Sequence, residues 1–94
     1  MLDIKVLGPG CAECDRLEQN VKEAVAMLGE QAAVEKVQDF QHILSFGVMQ
    51  TPALVVNGKV VAYGRVPTTG EVMTMITTRL AQAEEESRGG GPAR

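Results

Sequence analysis

The chain has no tryptophan, one tyrosine, two phenylalanines, one histidine and two cysteines. Two cysteines cannot make a framework of staples. Cys11 and Cys14 also stand so close that a bridge between them would close too short a loop to constrain the unfolded chain much. Positive charge is not in excess: nine lysines and arginines face twelve aspartates and glutamates, a formal net charge of -3. That balance excludes a surface built to track phosphate backbones, so no nucleic-acid partner is expected. Long apolar runs are missing as well. The longest, Ala24 to Leu28, is far too short to span a bilayer, and no charged segment followed by an apolar signal core opens the sequence. A cytoplasmic protein that does not insert into membranes is expected.

What is present suits one small globular unit. The 94 residues are 45% hydrophobic and 22% charged, close to the globular average, and a chain of this size buries enough surface to fold without disulfides. The cysteines therefore call for a chemical explanation. In a reducing compartment, a close pair serves catalysis or metal binding more often than architecture.

Leu2, Ile4 and Val6 alternate with Asp3 and Lys5, which predicts a strand over Leu2 to Leu7. Gly8-Pro9-Gly10 breaks it and leads into a helix from about Cys14 to Leu28, with Leu17, Val21, Val25 and Leu28 on its apolar face and Gly29 as its cap. A second strand is expected over Ala32 to Val37. Asp39 then caps a short helix that carries Phe40, Ile43 and Leu44 on one face and ends at Gly47. Thr51-Pro52 blocks further helix. Ala53 to Val56 and Lys59 to Tyr63 flank Asn57-Gly58, the pattern of a hairpin with a type I′ turn. Thr68 and Glu71 have capping-box spacing ahead of Val72, Ile76, Leu80 and Ala83. The order is β-α-β-α-β-β-α, an α/β fold with a four-stranded mixed sheet packed by three helices. One domain is expected over residues 1–83, with a frayed helix end and disordered tail over 84–94.

Cys11-Ala12-Glu13-Cys14 follows the first strand and opens the first helix. Unpaired N–H groups and the dipole at a helix N-terminus favour a thiolate at Cys11, although the Glu13 carboxylate opposes it. Cys14, expected one turn inside the helix and more enclosed, is placed to attack a mixed disulfide formed at Cys11. An exposed attacker with a nearby resolving thiol is what disulfide exchange requires.

These residues, with Thr51-Pro52 before the hairpin and Gly64-Arg65 after it, resemble the thioredoxin superfamily, most closely its small, glutaredoxin-sized redox-active disulfide proteins. The resemblance runs over roughly Leu2 to Ala83. It implies a thioredoxin-like fold, a cis Pro52 beside the disulfide, and a substrate groove where Pro52 shapes the floor and Thr51 offers its backbone to a cystine strand. Gly10 and Met49 are expected at the edges of that groove. The implied activity is thiol-disulfide oxidoreduction with Cys11 as nucleophile and Cys14 as resolving thiol. The reversible Cys11-Cys14 disulfide would take the place of any cofactor. A monomer would exchange with a protein disulfide or dithiol, or a small thiol, and be served by an unidentified reductase. Thioredoxin proper has a tryptophan before its first cysteine, Gly-Pro between the two, and a buried aspartate six residues upstream. Those places here hold Gly10, Ala12-Glu13 and Lys5. In place of the lysine before the motif and the Gly-Gly-Asp-like turn of glutaredoxins, the chain has Gly8-Pro9-Gly10 and Tyr63-Gly64-Arg65.

A metallochaperone that holds a soft ion between the Cys11 and Cys14 thiolates is the alternative. No Met-Thr-like pair precedes Cys11, however, and the chain closes on a helix. Zinc would need His42 and carboxylates to complete four ligands; His42 is expected on the solvated side of the short helix, beside Gln41 and Ser45. Because Gly89 to Arg94 carries no periodic apolar face, deleting it is expected to leave the thermal midpoint unchanged. A fall of several degrees in a melting experiment would show that the segment docks.

Overall fold

A computed structural model describes residues 2–10 and 12–87 of the chain, with the backbone alone over 83–87. Cys11 and residues 88–94 lie outside the described residues, so the expectations for a Cys11 thiolate and for the tail fall there. The elements follow the expected order: β1 Leu2–Leu7, α1 Ala12–Leu28, β2 Ala32–Val37, α2 Phe40–Ser45, β3 Ala53–Val56, β4 Lys59–Tyr63 and α3 Thr69–Ser87. The strands form one sheet in the order β2-β1-β3-β4; β1 is parallel to β2 and antiparallel to β3, which is antiparallel to β4. This is the thioredoxin-like arrangement that the pattern implied.

The period-two side-chain alternation of β1 and β3 separates two cores. Leu2, Ile4 and Val6 of β1, with Leu54 and Val56 of β3, meet Leu17, Val21 and Ala24 of α1 and Val72 and Ile76 of α3. On the opposite face, Leu7, Val37, Ala53 and Val55 meet Ile43 of α2 and Val48. Each valine, leucine or isoleucine among them, fully buried, contributes roughly 1.5–3 kcal/mol. The short α2 covers only the end of its face nearest the β1–α1 loop. Beyond it the same face is polar, and Lys5 pairs with Asp3 at 2.9 Å and with Glu35 at 3.8 Å.

The helices differ from expectation in three details. α1 starts at Ala12 and not near Cys14, with Glu13 and Asp15 in its first turn, where carboxylates favour a helix N-terminus. Its core stripe runs through Cys14, Leu17, Val21 and Ala24, leaving Val25 half-buried at the margin. In α2 only Ile43 is buried; the apolar stripe continues to Phe46 and Val48, while Phe40 (69%) and Leu44 (41%) stay exposed. A six-residue helix meets the sheet over too narrow a strip to bury three positions around its circumference.

Local signals held where their hydrogen bonds close within a few residues. Asn57 and Gly58 take positive φ (50° and 81°), as a type I′ turn needs, and Asn57 Oδ1 accepts from the Asp3 N–H at 2.9 Å. The Asp39 carboxylate caps α2 by accepting from the His42 N–H at 3.0 Å. At α3 the capping box is reciprocal: the Glu71 N–H donates to Thr68 Oγ1 at 3.1 Å, and the Thr68 N–H donates to Glu71 Oε1 at 2.9 Å.

That box has a pH signature. The Thr68 backbone N–H, then the Arg65 guanidinium, hold the Glu71 carboxyl below its ordinary range. A lowered folded pKa stabilises above the unfolded value, near 4.3, and the contribution fades as pH falls through the folded value. Thr68→Ala is expected to cost about 1 kcal/mol, roughly 4–8 °C in midpoint for a domain of this size. Melting curves of Glu71→Gln should lie below the parent at neutral pH and converge with it in acid; a gap that widens in acid would contradict the sign.

Candidate functional site

The site grows from the loop Gly8-Pro9-Gly10. Gly8 prolongs β1, its N–H donating to the Val37 carbonyl at 2.9 Å, and it is buried. Packing requires glycine here. A β-carbon on Gly8 would run into Cys14 Sγ, and would stand 3.3 Å from Cys14 Cβ and 3.9 Å from the Pro52 Cα. Cys14 and Pro52 thus flank one backbone, and the missing side chain is what lets them approach it. Gly8 stood in the motif as a chain breaker; its role as a spacer could not be read without knowing which segments meet there.

Cys14 is third in α1, in the first turn and not one turn inside as expected, and it is 1% exposed. Its enclosure agrees with the shielding expected of a resolving thiol. Gly10 takes φ +91°, in the region that favours glycine, and the Gln38 carboxamide lies against it: a β-carbon there would sit 3.3 Å from Gln38 Nε2.

The Thr51–Pro52 peptide bond is cis. Pro52 is buried and Thr51 exposed, so the segment presents Thr51 outward while the proline ring is enclosed. The Pro52 carbonyl accepts from the Gly64 N–H at 2.9 Å, joining this segment to the end of β4. Gly64 has φ +77°, and Gln50 Oε1 occupies the space a side chain there would need. Gly64 is therefore a second glycine with a packing role at the site. Met49 is 87% exposed and shares a groove of about 410 Å³ with Phe46, Val48, Gln50, Val60 and Tyr63. Of the residues expected at the site, the structure gathers Cys14 and Pro52 around Gly8. Met49 and Thr51, just before Pro52 in the chain, are exposed, and Gly10 is separated from the start of α1 in sequence only by Cys11.

Ionisable groups near α1 are solvated. Lys36 bridges β2 to Asp15 at 3.0 Å and Glu18 at 3.5 Å, and the Asp15 carboxylate raises its pKa by hydrogen bond and by charge, with Glu18 adding to the effect. Arg65 is held by Glu71 at 3.1 Å. Among the described residues no acidic, basic or polar uncharged side chain is buried. Lys5, where thioredoxin proper has its buried aspartate, is engaged instead with Asp3 and Glu35. His42 is exposed and stacks on Phe46, ring centroids 5.5 Å apart, as the surface reading required. No group of three or more histidine, cysteine or carboxylate side chains among the described residues is arranged to hold a metal ion.

The family model described as a thioredoxin domain matches residues 2–77, most of the chain. The chain belongs to the thioredoxin family. Similar proteins include a thioredoxin of Methanothermobacter thermautotrophicus, 38% identical over 77 residues, covering 82% of this chain and 100% of that protein. A thioredoxin of Methanocaldococcus jannaschii is 35% identical over 80 residues, covering 85% of this chain and 92% of that protein. Family membership carries a thioredoxin-like redox function and oxidoreductase activity in general terms. No helix among the described residues is long and apolar enough to cross a membrane.

The Gly8 contact yields a direct test. Gly8→Ala forces Cys14 Sγ or the Pro52 segment to shift, and overpacking of this kind costs about 1–3 kcal/mol. The variant is expected to melt lower and to exchange disulfides more slowly than the parent. Unchanged rates with a disulfide substrate in stopped flow would show that this spacing does not matter to the site.

Proposed function

We propose that the protein is a thiol-disulfide oxidoreductase acting through Cys11 and Cys14. The observation that carries this reading is the convergence of the Cys14 side chain and the cis Thr51–Pro52 segment on Gly8, at the start of the helix that Cys11 directly precedes in sequence.

The chemistry balances without a cofactor. The Cys11 thiolate attacks one sulfur of a substrate disulfide; a Cys11–substrate bond forms as the substrate S–S bond breaks, and one substrate thiolate leaves. Cys14, deprotonated as it attacks, then displaces the second substrate sulfur from Cys11. The Cys11-Cys14 disulfide forms, and two electrons have passed to the substrate. With no buried carboxylate among the described residues, water or the leaving thiolate takes the Cys14 proton. A separate reductase returns the pair to the dithiol. The partner is a protein disulfide or a small thiol; Thr51, Pro52, Gly10 and Met49 border its path. The protein works as a monomer in a reducing cytoplasm, apart from nucleic acid and membranes.

Trapping separates the two thiols. Cys14→Ser is expected to accumulate covalent partners in an extract without reductant, because Cys11 attacks and nothing resolves. Cys11→Ser should capture little, since Cys14 is buried. Trapping mainly through Cys14 would reverse the roles. If neither variant traps a partner and the parent pair stays reduced in mild disulfide buffer, the exchange mechanism fails, and nanomolar Cu(I) binding by the parent would then favour the metal carrier.

A further inference from the structure

A second cleft lies between β4 and α3, at the Asn57-Gly58 end of the hairpin, whereas Pro52 and Tyr63 stand at the other end. It has a volume of about 320 Å³, and Lys59, Val61, Met75, Thr78 and Arg79 are among its walls. That is the low end of the roughly 300–1,000 Å³ found for small-molecule sites.

Charge sets this cleft apart. Lys5, Lys22, Lys36 and Arg65 each hold a carboxylate within ion-pair distance. Among the described residues Arg16, Lys59 and Arg79 hold none, and of these Lys59 and Arg79 line the same cleft. In a chain with a net charge of -3, two cations on one cleft without a described counter-ion leave a local site for an anion.

Arg79 is also fixed in place. Its Nε donates to the Val56 carbonyl at 3.2 Å and its Nη2 to the Asn57 carbonyl at 3.2 Å, which pins the half-buried guanidinium to the hairpin. A guanidinium has five N–H donors, so the fork keeps donors beyond these two. Thr74 Oγ1 is turned to the Gly70 carbonyl at 3.3 Å, which leaves Thr78 as the hydroxyl donor of this wall. Val61 and Met75 supply an apolar floor that packs on the main core.

We propose that this cleft binds a small organic anion, with its phosphate or carboxylate group held by Lys59, Arg79 and Thr78 and a short apolar body laid on Val61 and Met75. Binding bridges β4 to α3 and stabilises the fold by mass action. It leaves the exchange site open, so the ligand does not compete with a disulfide substrate.

The test is a titration of the ¹⁵N-labelled full chain with phenyl phosphate, benzoate, inorganic phosphate and benzyl alcohol, read as amide shifts. Phenyl phosphate or benzoate is expected to give saturable shifts confined to Lys59–Val61 and Thr74–Gln82, the tighter of the two identifying the head group. Inorganic phosphate should bind more weakly, and benzyl alcohol should give no localised shift. Lys59→Gln, at an exposed position, should keep the native spectrum and weaken binding about three- to fivefold, the effect of one exposed charge pair. Arg79→Lys, which keeps the charge but loses the fork, should weaken it too. Shifts that never saturate, that spread over the whole chain, that benzyl alcohol reproduces, or that Lys59→Gln leaves unchanged would each overturn the proposal.

Discussion

Three segments meet at Gly8, and the rest of the site depends on the absence of a side chain there. β1 ends one residue earlier, at Leu7, α1 brings in the Cys14 side chain, and the cis Thr51–Pro52 segment also packs there. Close packing leaves no slack at such a crossing, because interiors approach crystal density and one extra methyl group forces a neighbour to move. A glycine is thus the geometric condition for a thiol and a proline to share one small surface. The Gly64 N–H bond to the Pro52 carbonyl holds the far side of that surface against the end of β4.

The two cores make the crossing rigid. β1 and β3 are central strands, and at the ends near the site both of their faces are covered, by α1 and α3 on one side and α2 on the other. Consecutive residues such as Val6 and Leu7, or Leu54 and Val55, are buried in different cores. Where α2 no longer covers the sheet, the strands carry Asp3, Lys5 and Glu35. Solvated ion pairs of this kind contribute little to stability, and they keep the uncovered face from presenting an apolar patch. Burial is thereby concentrated under the Gly8 crossing and beneath the α1–α3 layer.

Electrostatics are arranged differently from thioredoxin proper. A buried acid is absent among the described residues, and the charges close to α1 lie at its surface, with Asp15 and Glu18 tied to Lys36. In the proposed exchange, proton movement at Cys14 would therefore rely on solvent or on the substrate sulfur. The Lys59–Arg79 cleft lies at the other end of the hairpin, and Arg79 itself links α3 to the turn that clasps the start of β1.

The amino-acid sequence by itself determined the element order, the hairpin and its turn, the Asp39 cap and the Thr68–Glu71 capping box, and the C-x-x-C at a helix start. Each of these is decided by interactions among residues near one another in the chain: alternation along a strand, positive φ at Asn57-Gly58, the Thr68–Glu71 exchange of hydrogen bonds. Only the tertiary structure decided which side of a helix faces inward and what fills the space beside a glycine. It chose Ala24 over Val25 for the core, left Phe40 and Leu44 in solvent, and buried Cys14. It also assigned the neighbours of Gly8 and Gly64, because those contacts join segments up to dozens of residues apart, and no local pattern encodes which distant backbone will arrive.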